Sequence, residues 1–214
     1  MKFSSLTGIF YVNAYRNEIS PAPNPSFIDS LSTASTLLFS CGSLWTSIIP
    51  CIALRGVATA VARSPTLKHK VLLLNSSTDR ETHGMTALDF VSAIVSSLNS
   101  TDGGAVKPPP QTGSGTASEE EEEMHHHVWT DFGGLGYAAR DLVTCVVCVE
   151  GGLVPVEKEE IEDLGIEVIQ VKGKKKGGKG APLFTEQGEC SRASPSRVQQ
   201  TNCCLCILQP SRAS

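Results

Sequence analysis

Gly42, Ser43, Thr46 and Ser47 stand within a stretch of six residues, 42–47, between two apolar runs. A glycine and three hydroxyls at this spacing suit the holding of an anion. Glycine lets a ligand approach the backbone closely. If a helix starts here, its first N–H groups point into the loop, and the macrodipole favours negative charge there. Ser47 reads as the N-cap. Pro50 is then the third helical residue, whose missing N–H has no intrahelical partner to lose. An ordinary capped helix without a ligand would use the same residues. A second polar set, Asn75 with Asp79-Arg80-Glu81-Thr82, follows another apolar run. Its charged groups suit a metal, a ribose or a second phosphate. An Asp79–Arg80 ion pair and a capping Thr82 are the structural alternatives.

The elements that must position these groups read as alternating strands and helices. Leu37-Leu38-Phe39 ends a strand over 36–40, and Lys70 to Asn75 is a second. Apolar residues in succession suit strands buried on both faces of a parallel sheet. Between them the apolar positions Ile49, Ile52, Ala53, Gly56, Val57 and Ala60 predict one helix over 47–63, with Gly56 allowing close approach to the sheet. Leu88, Val91, Ile94, Val95 and Leu98 predict another over 85–98, with Asp89, Ser92, Ser96 and Asn99 facing out. Strands over 143–149 and 166–171 follow, with a helix from Lys158 to Leu164 between them that Gly165 ends. The four strands are expected to lie parallel in one sheet. Both polar loops then fall at its carboxyl edge, where open α/β sheets bind ligands. Near the start, Ile9 to Asn13 reads as a short strand, and Ser26 as the cap of a short helix through Phe27, Ile28 and Leu31.

Gly42-Ser43-Leu44-Trp45-Thr46-Ser47-Ile48-Ile49-Pro50 resembles the Gly-Ser-Leu-Tyr-Thr-Ser-Ile-Ile-Pro segment of the CofD-like family, with one conservative change in nine residues. Asn75, Asp79-Arg80-Glu81-Thr82 and Gly84 resemble the second loop of its fungal members. Asn24-Pro25 and Gly152-Leu153-Val154-Pro155-Val156 are also similar to family segments. The resemblance spans about residues 9–99 and 143–171, and it implies an α/β, Rossmann-like three-layer parallel sheet. The family contains 2-phospho-L-lactate transferases and the YvcK-like gluconeogenesis factors, which bind UDP-sugars. The Trp45-Thr46-Ser47 wording is closer to the second branch, because the transferases carry a Ser-Asn-Pro version of the loop. The resemblance therefore implies a regulatory UDP-sugar binder. Its alternative is a phosphoryl-type transferase with a guanosine-diphosphate-linked donor, and a third reading is an inactive fragment. Gly42, Ser43, Leu44, Thr46, Ser47, Asn75, Asp79, Arg80, Glu81 and Thr82 would hold the nucleotide, with Mg²⁺ as the expected ion. No Gly-Gly-Gly-Thr loop precedes Ile9, so the chain is similar to the C-terminal half of the family domain, and an incomplete sheet without full catalytic equipment is expected.

The remaining sequence sets bounds. The 214 residues carry a net charge of −4 and a pI near 5.7, which argues against nucleic acid as a partner. A nucleotide-linked small molecule is the expected partner, with a homo-oligomer among the possibilities. No charge occurs between Asp29 and Arg55, but Ser40, Gly42, Ser43, Thr46, Ser47 and Pro50 interrupt the run, so no membrane span is expected. Eight cysteines without a signal peptide point to a reducing, cytoplasmic compartment. Cys145 and Cys148 have metal-ligand spacing, but on a strand they face opposite ways. Gly133, Gly134 and Gly136 do not complete a dinucleotide fingerprint. His125-His126-His127 is adjacent low complexity rather than a built metal site. Four segments result: a core over 1–99, a disordered low-complexity insertion over 100–127, a strand-helix-strand portion of the same domain over 128–181, and a divergent, unstructured tail over 182–214.

Overall fold

A computed structural model describes residues 8–102, 136–174 and 181–184, with the backbone of residues 198–199 and 205–208. The apolar runs become the strands of one sheet. In chain order these are β3 (Thr36–Phe39), β4 (His69–Leu73), β5 (Cys145–Val149) and β6 (Glu167–Val171). They lie side by side in the order β6-β5-β4-β3, and every pair is parallel. The register sets Phe39 beside Leu72, Leu72 beside Val146 and Val147 beside Ile169. Before the sheet, β1 (Tyr11–Val12) and β2 (Glu18–Ile19) form a separate antiparallel ribbon, so the expected first strand exists outside the main sheet. The Tyr11 hydroxyl ties that ribbon to the Pro50 carbonyl at 2.5 Å.

Helices α1 (Pro25–Thr33), α2 (Ile49–Ile52), α3 (Val57–Arg63), α4 (Ala87–Asp102), α5 (Ala139–Leu142) and α6 (Lys158–Asp163) fill the layers around the sheet. Helix α3 packs on α1, α4 and α5, and α6 packs along β6. Leu37, Phe39, Leu72 and Val146 from the sheet meet Ile49, Ile52, Val61, Phe90 and Ile94 from the helices in one core. This is the expected Rossmann-like α/β arrangement with a parallel sheet. Asp89 stands in the first turn of α4, where its carboxylate accepts from the Thr86 N–H at 2.8 Å.

Several expectations need correcting, each for a local reason. The cap of α1 is Asn24, not Ser26; its side chain accepts from the Ser26 N–H, which leaves Pro25 at the first helical position, where it lacks no bond. The single helix over 47–63 is three pieces. A π-helical turn spans Leu44–Ile48, α2 follows, and the chain then bends by 80° into α3. Pro50 has no N–H to bond back along an α-helix, so the regular ladder cannot run through it and restarts around it. The bend sits at Gly56, whose φ of +84° is left-handed and whose missing Cβ would meet nothing within 4 Å. Gly56 is therefore a hinge in the chain path, not a close-packing contact. Residues 100–102 belong to α4, so the helix reaches into the segment expected to be disordered; residues 103–127 lie outside the described residues. Ser92 and Asn99 face inward, 4% and 8% exposed. Asn99 donates to the Tyr137 carbonyl at 3.0 Å and accepts its N–H at 2.9 Å, because the chain returns beside α4 at that point. Leu142 belongs to α5, which caps the entry to β5.

The tail also differs from its expectation. Lys174 and Leu183 form a bridge. Strand β8 (Leu205–Leu208) pairs antiparallel with β3, and β7 (Val198–Gln199) pairs with β8. The apolar run at Leu205 to Leu208 has found an open sheet edge, which periodicity alone could not reveal. The histidine triplet and Gly133–Gly134 lie outside the described residues.

Candidate functional site

The turn after β3 is built by backbone and hydroxyl together. Gly42 donates its N–H to the Ser40 carbonyl at 2.9 Å, which tightens the exit from the strand. Ser43, not Ser47, is the N-cap: its hydroxyl accepts from the Thr46 N–H at 3.4 Å. Its carbonyl takes the N–H groups of Ser47 and Ile48 at 3.0 and 3.2 Å, the longer reach being that of the π-helical turn. The cap moves four residues upstream because the wide turn begins at Leu44. The N–H groups of Leu44 and Trp45 precede this turn's own bonds, but both residues lie in the core, 0% and 3% exposed, and neither lines the cleft.

The second loop is organised by one carboxylate. Asp79 Oδ1 accepts from the Glu81 N–H at 2.9 Å, the Thr82 N–H at 2.8 Å and the Thr82 hydroxyl at 2.8 Å. Thr82 is fully buried, and its oxygen also accepts the Asp79 N–H at 3.0 Å. Burial works to raise the Asp79 pKa, but the hydrogen bonds from the Thr82 side chain, the Thr82 backbone and the Glu81 backbone outweigh it, and the carboxyl is held below its ordinary value. The result is a loop that presents Arg80 and Glu81 outward.

Two hydrogen bonds join the loops. The Asn75 side chain donates to the Gly42 carbonyl at 3.1 Å, and the Ser43 hydroxyl donates to Glu81 Oε2 at 3.1 Å. Both loops leave parallel neighbours, β3 and β4, at the same end, so they are delivered side by side. Between them lies an open cleft of about 420 Å³ lined by Ser43, Thr46, Asp79, Arg80 and Glu81. Five of the ten candidate residues therefore line the cleft. Gly42, Asn75 and Thr82 hold its walls. Ser47 spends its N–H on Ser43 and its carbonyl on the Cys51 thiol at 3.3 Å, inside the turn rather than in the cleft.

The cleft offers an arginine and hydroxyls to an anion, and carboxylates to a cation. Among the described residues no three histidine, cysteine, aspartate or glutamate side chains gather to hold a metal. Mg²⁺ commonly rests on one or two carboxylates plus ligand phosphates. Glu81 suits that role better than Asp79, one of whose oxygens is already engaged in three bonds.

A third loop at this edge escaped the sequence reading. Leu153 donates its N–H to the Ser76 carbonyl at 2.7 Å, and a Cβ at Gly152 would stand 3.2 Å from the Val149 carbonyl oxygen and 3.5 Å from that of Ser76. A cavity of about 80 Å³ runs between them, with Asn75, Ser76, Gly151 and Gly152 in its wall. Paired glycines directly after an apolar strand were the available signal.

The family model described as 2-phospho-L-lactate transferase CofD matches residues 9–145, which include both polar loops. The uncharacterised protein YNL011C of Saccharomyces cerevisiae is 38% identical over 96 residues, 45% of this chain and 21% of its own length. The crystal structure of protein BH3568 from Bacillus halodurans is similar with a TM-score of 0.52 at 16% identity, covering 81% of this chain and 47% of that one. A second crystal structure of BH3568, described as a member of the upf0052 family, gives 0.48 at 17% identity over 71% of this chain and 41% of that one. The chain thus spans less than half the length of the Bacillus protein, and its match takes in about a fifth of the yeast relative. No single helix among the described residues is long and apolar enough to cross a membrane; the bent pair Leu44–Ile52 and Val57–Arg63 passes only when taken together.

Proposed function

Since this chain belongs to the CofD family, described as 2-phospho-L-lactate transferase, we propose that its carboxyl-edge cleft holds the phosphates of a nucleotide-linked small molecule. The ligand in this reading is a UDP-sugar, and the role is the regulatory one of a YvcK-like gluconeogenesis factor in the cytoplasm. The observation that carries it is the joining of two polar loops, through Asn75 to Gly42 and Ser43 to Glu81, around a cleft that contains Arg80. The loop wording shared with the YvcK-like branch supports the UDP-sugar, and the yeast relative supports a fungal-type member.

Each residue has a part. Thr46 receives one phosphate. Arg80 neutralises a second. Ser43 is already bonded to Glu81, so a phosphate reaching Ser43 shares it with a carboxylate, and Mg²⁺ between the two anions relieves the repulsion. The same groups would serve the alternative, a phosphoryl-type transfer from a guanosine-diphosphate-linked donor, because such chemistry rests on positioning and charge neutralisation.

Calorimetric titration with UDP-glucose and with GDP, each with and without Mg²⁺, tests the reading. It is run on this chain and on the chain joined to the remaining half of a family domain, where binding is expected. Thr46→Ala should weaken that binding by about 0.5–1.5 kcal/mol, the worth of one hydrogen bond. UDP-glucose bound in preference to GDP supports the regulatory reading, and the reverse supports the transferase. If neither protein binds either nucleotide, the two loops are only caps and turns.

A further inference from the structure

The two edges of the parallel sheet are built differently. β6, at one edge, carries exposed Glu167 and Gln170 among its apolar residues. β3, at the other, reads Thr36-Leu37-Leu38-Phe39, with no charge and no proline, and its Leu37 and Phe39 are fully buried. Edge strands ordinarily carry charge, proline or a bulge to prevent pairing with other chains. β3 has none of these among its residues and is composed like an interior strand.

Its outer side is nevertheless paired. β8 lies on it antiparallel, with Leu37 opposite Ile207 and Leu38 opposite Cys206, in a sheet whose other long strands are all parallel. β8 also lies beyond residue 145, where the family match ends. The edge belongs to the shared core, while its cover belongs to the tail of this chain. That cover is four residues long, and residues 185–204 stand between it and Phe184. A strand this short, whose other described partner is the two-residue β7, can open without disturbing the core.

We propose that the outer edge of β3 is a strand-addition surface guarded by β8, and that the occupant β8 excludes is the same edge of a second copy of this chain. Antiparallel pairing is already the mode seen at this edge. It is also the relation that a two-fold axis imposes on a strand paired with its own copy. Side chains alternate between faces and a two-fold axis keeps the faces, so in that pairing Leu38 of one copy stands opposite Leu38 of the other, an apolar pair without opposed charges. The inference is independent of the nucleotide reading.

Hydrogen exchange on the full chain is the first test. Amides of β8 should exchange at least about tenfold faster than those of β4 and β5, because β8 opens without the core. Equal protection means that the guard does not leave, and it overturns the proposal. The second test is the full-length double variant Cys206→Pro with Ile207→Pro. Neighbouring residues of an antiparallel strand alternate in presenting N–H to their partner, so two successive prolines remove whichever bond points at β3. Light scattering should find the unaltered chain at its monomer mass of 22.7 kDa and the variant at twice that mass. Adding Leu38→Lys to the variant should return it to monomer by charging the edge. A double-proline variant that stays monomeric overturns the proposal, as does association that Leu38→Lys leaves unchanged.

Discussion

Asp79 is the residue on which the second loop depends, and its chemistry gives that loop a pH limit. Its carboxyl is held below the ordinary value of 3.8 by bonds from Thr82 and Glu81 that outweigh its burial. A carboxyl lowered in the folded state contributes stability that is present above the unfolded pKa. That contribution is lost as pH falls through the lowered folded value. Loop order should therefore be complete at neutral pH and fail only below about pH 4. Thr82→Val keeps the buried shape and removes the hydroxyl that bonds Asp79 twice. The Asp79 pKa should then rise toward its ordinary value, and the amides of Glu81 and Thr82 should lose protection at a higher pH than in the unaltered chain. Carboxyl titration by NMR reads the first effect and hydrogen exchange the second; an unchanged Asp79 titration would show that the hydroxyl does not set it. The charged tripeptide Asp79-Arg80-Glu81 was legible in the sequence as a candidate site. Its division of labour was not, because a sequence does not show that Asp79 Oδ1 bonds its own loop while Glu81 reaches across to Ser43.

Among the elements, the strands were legible and the turn between β3 and α3 was not. Leu37-Leu38-Phe39 and Val71-Leu72-Leu73 announce buried parallel strands by their unbroken apolarity, and both lie where expected. Ile49, Ile52, Gly56 and Ala60 keep a helical period straight across the 80° bend, so the period conceals it. The information lies in Pro50, which forbids a regular ladder, and in Gly56, which adopts a backbone angle that other residues rarely reach. Gly56→Ala should cost about 1–2 kcal/mol, the penalty of the left-handed conformation for a residue with a Cβ. Since an added Cβ meets nothing within 4 Å, that cost is conformational and not steric. Gly56→Asn should accordingly cost less than Gly56→Ala, because asparagine tolerates the left-handed region. Denaturant unfolding of the two variants checks the order, and the reverse order would rule out backbone strain as the cause.

At the scale of the whole molecule, the parallel sheet has one edge made for solvent and one made for a neighbour. Its likeness covers most of this chain and less than half of the Bacillus protein. Sequence reading found the four parallel strands because each is a local pattern. It missed β8 because the reason for that strand, an uncovered β3 edge, lies more than 160 residues earlier in the chain.

The Asn99–Tyr137 clamp has a practical meaning. One amide side chain grips the backbone of residue 137 from both its N–H and its carbonyl, and the Tyr137 hydroxyl reaches Thr59 at 2.9 Å. The two ends of the 33-residue span 103–135 are thereby fastened to the fold independently of what joins them. Such a clasp makes the span a port at which length becomes a free variable. Closing a loop costs only about 0.6 kcal/mol for each doubling of its length, so replacing the span by about eight Gly and Ser residues should stabilise the protein by roughly 1 kcal/mol. With Asn99→Ala the same replacement should lose that gain, because the ends are no longer held. Thermal unfolding of the four proteins decides it. If the shortened chain melts lower than the original while Asn99 is intact, the span contributes contacts of its own, and the port is not free to carry an inserted domain.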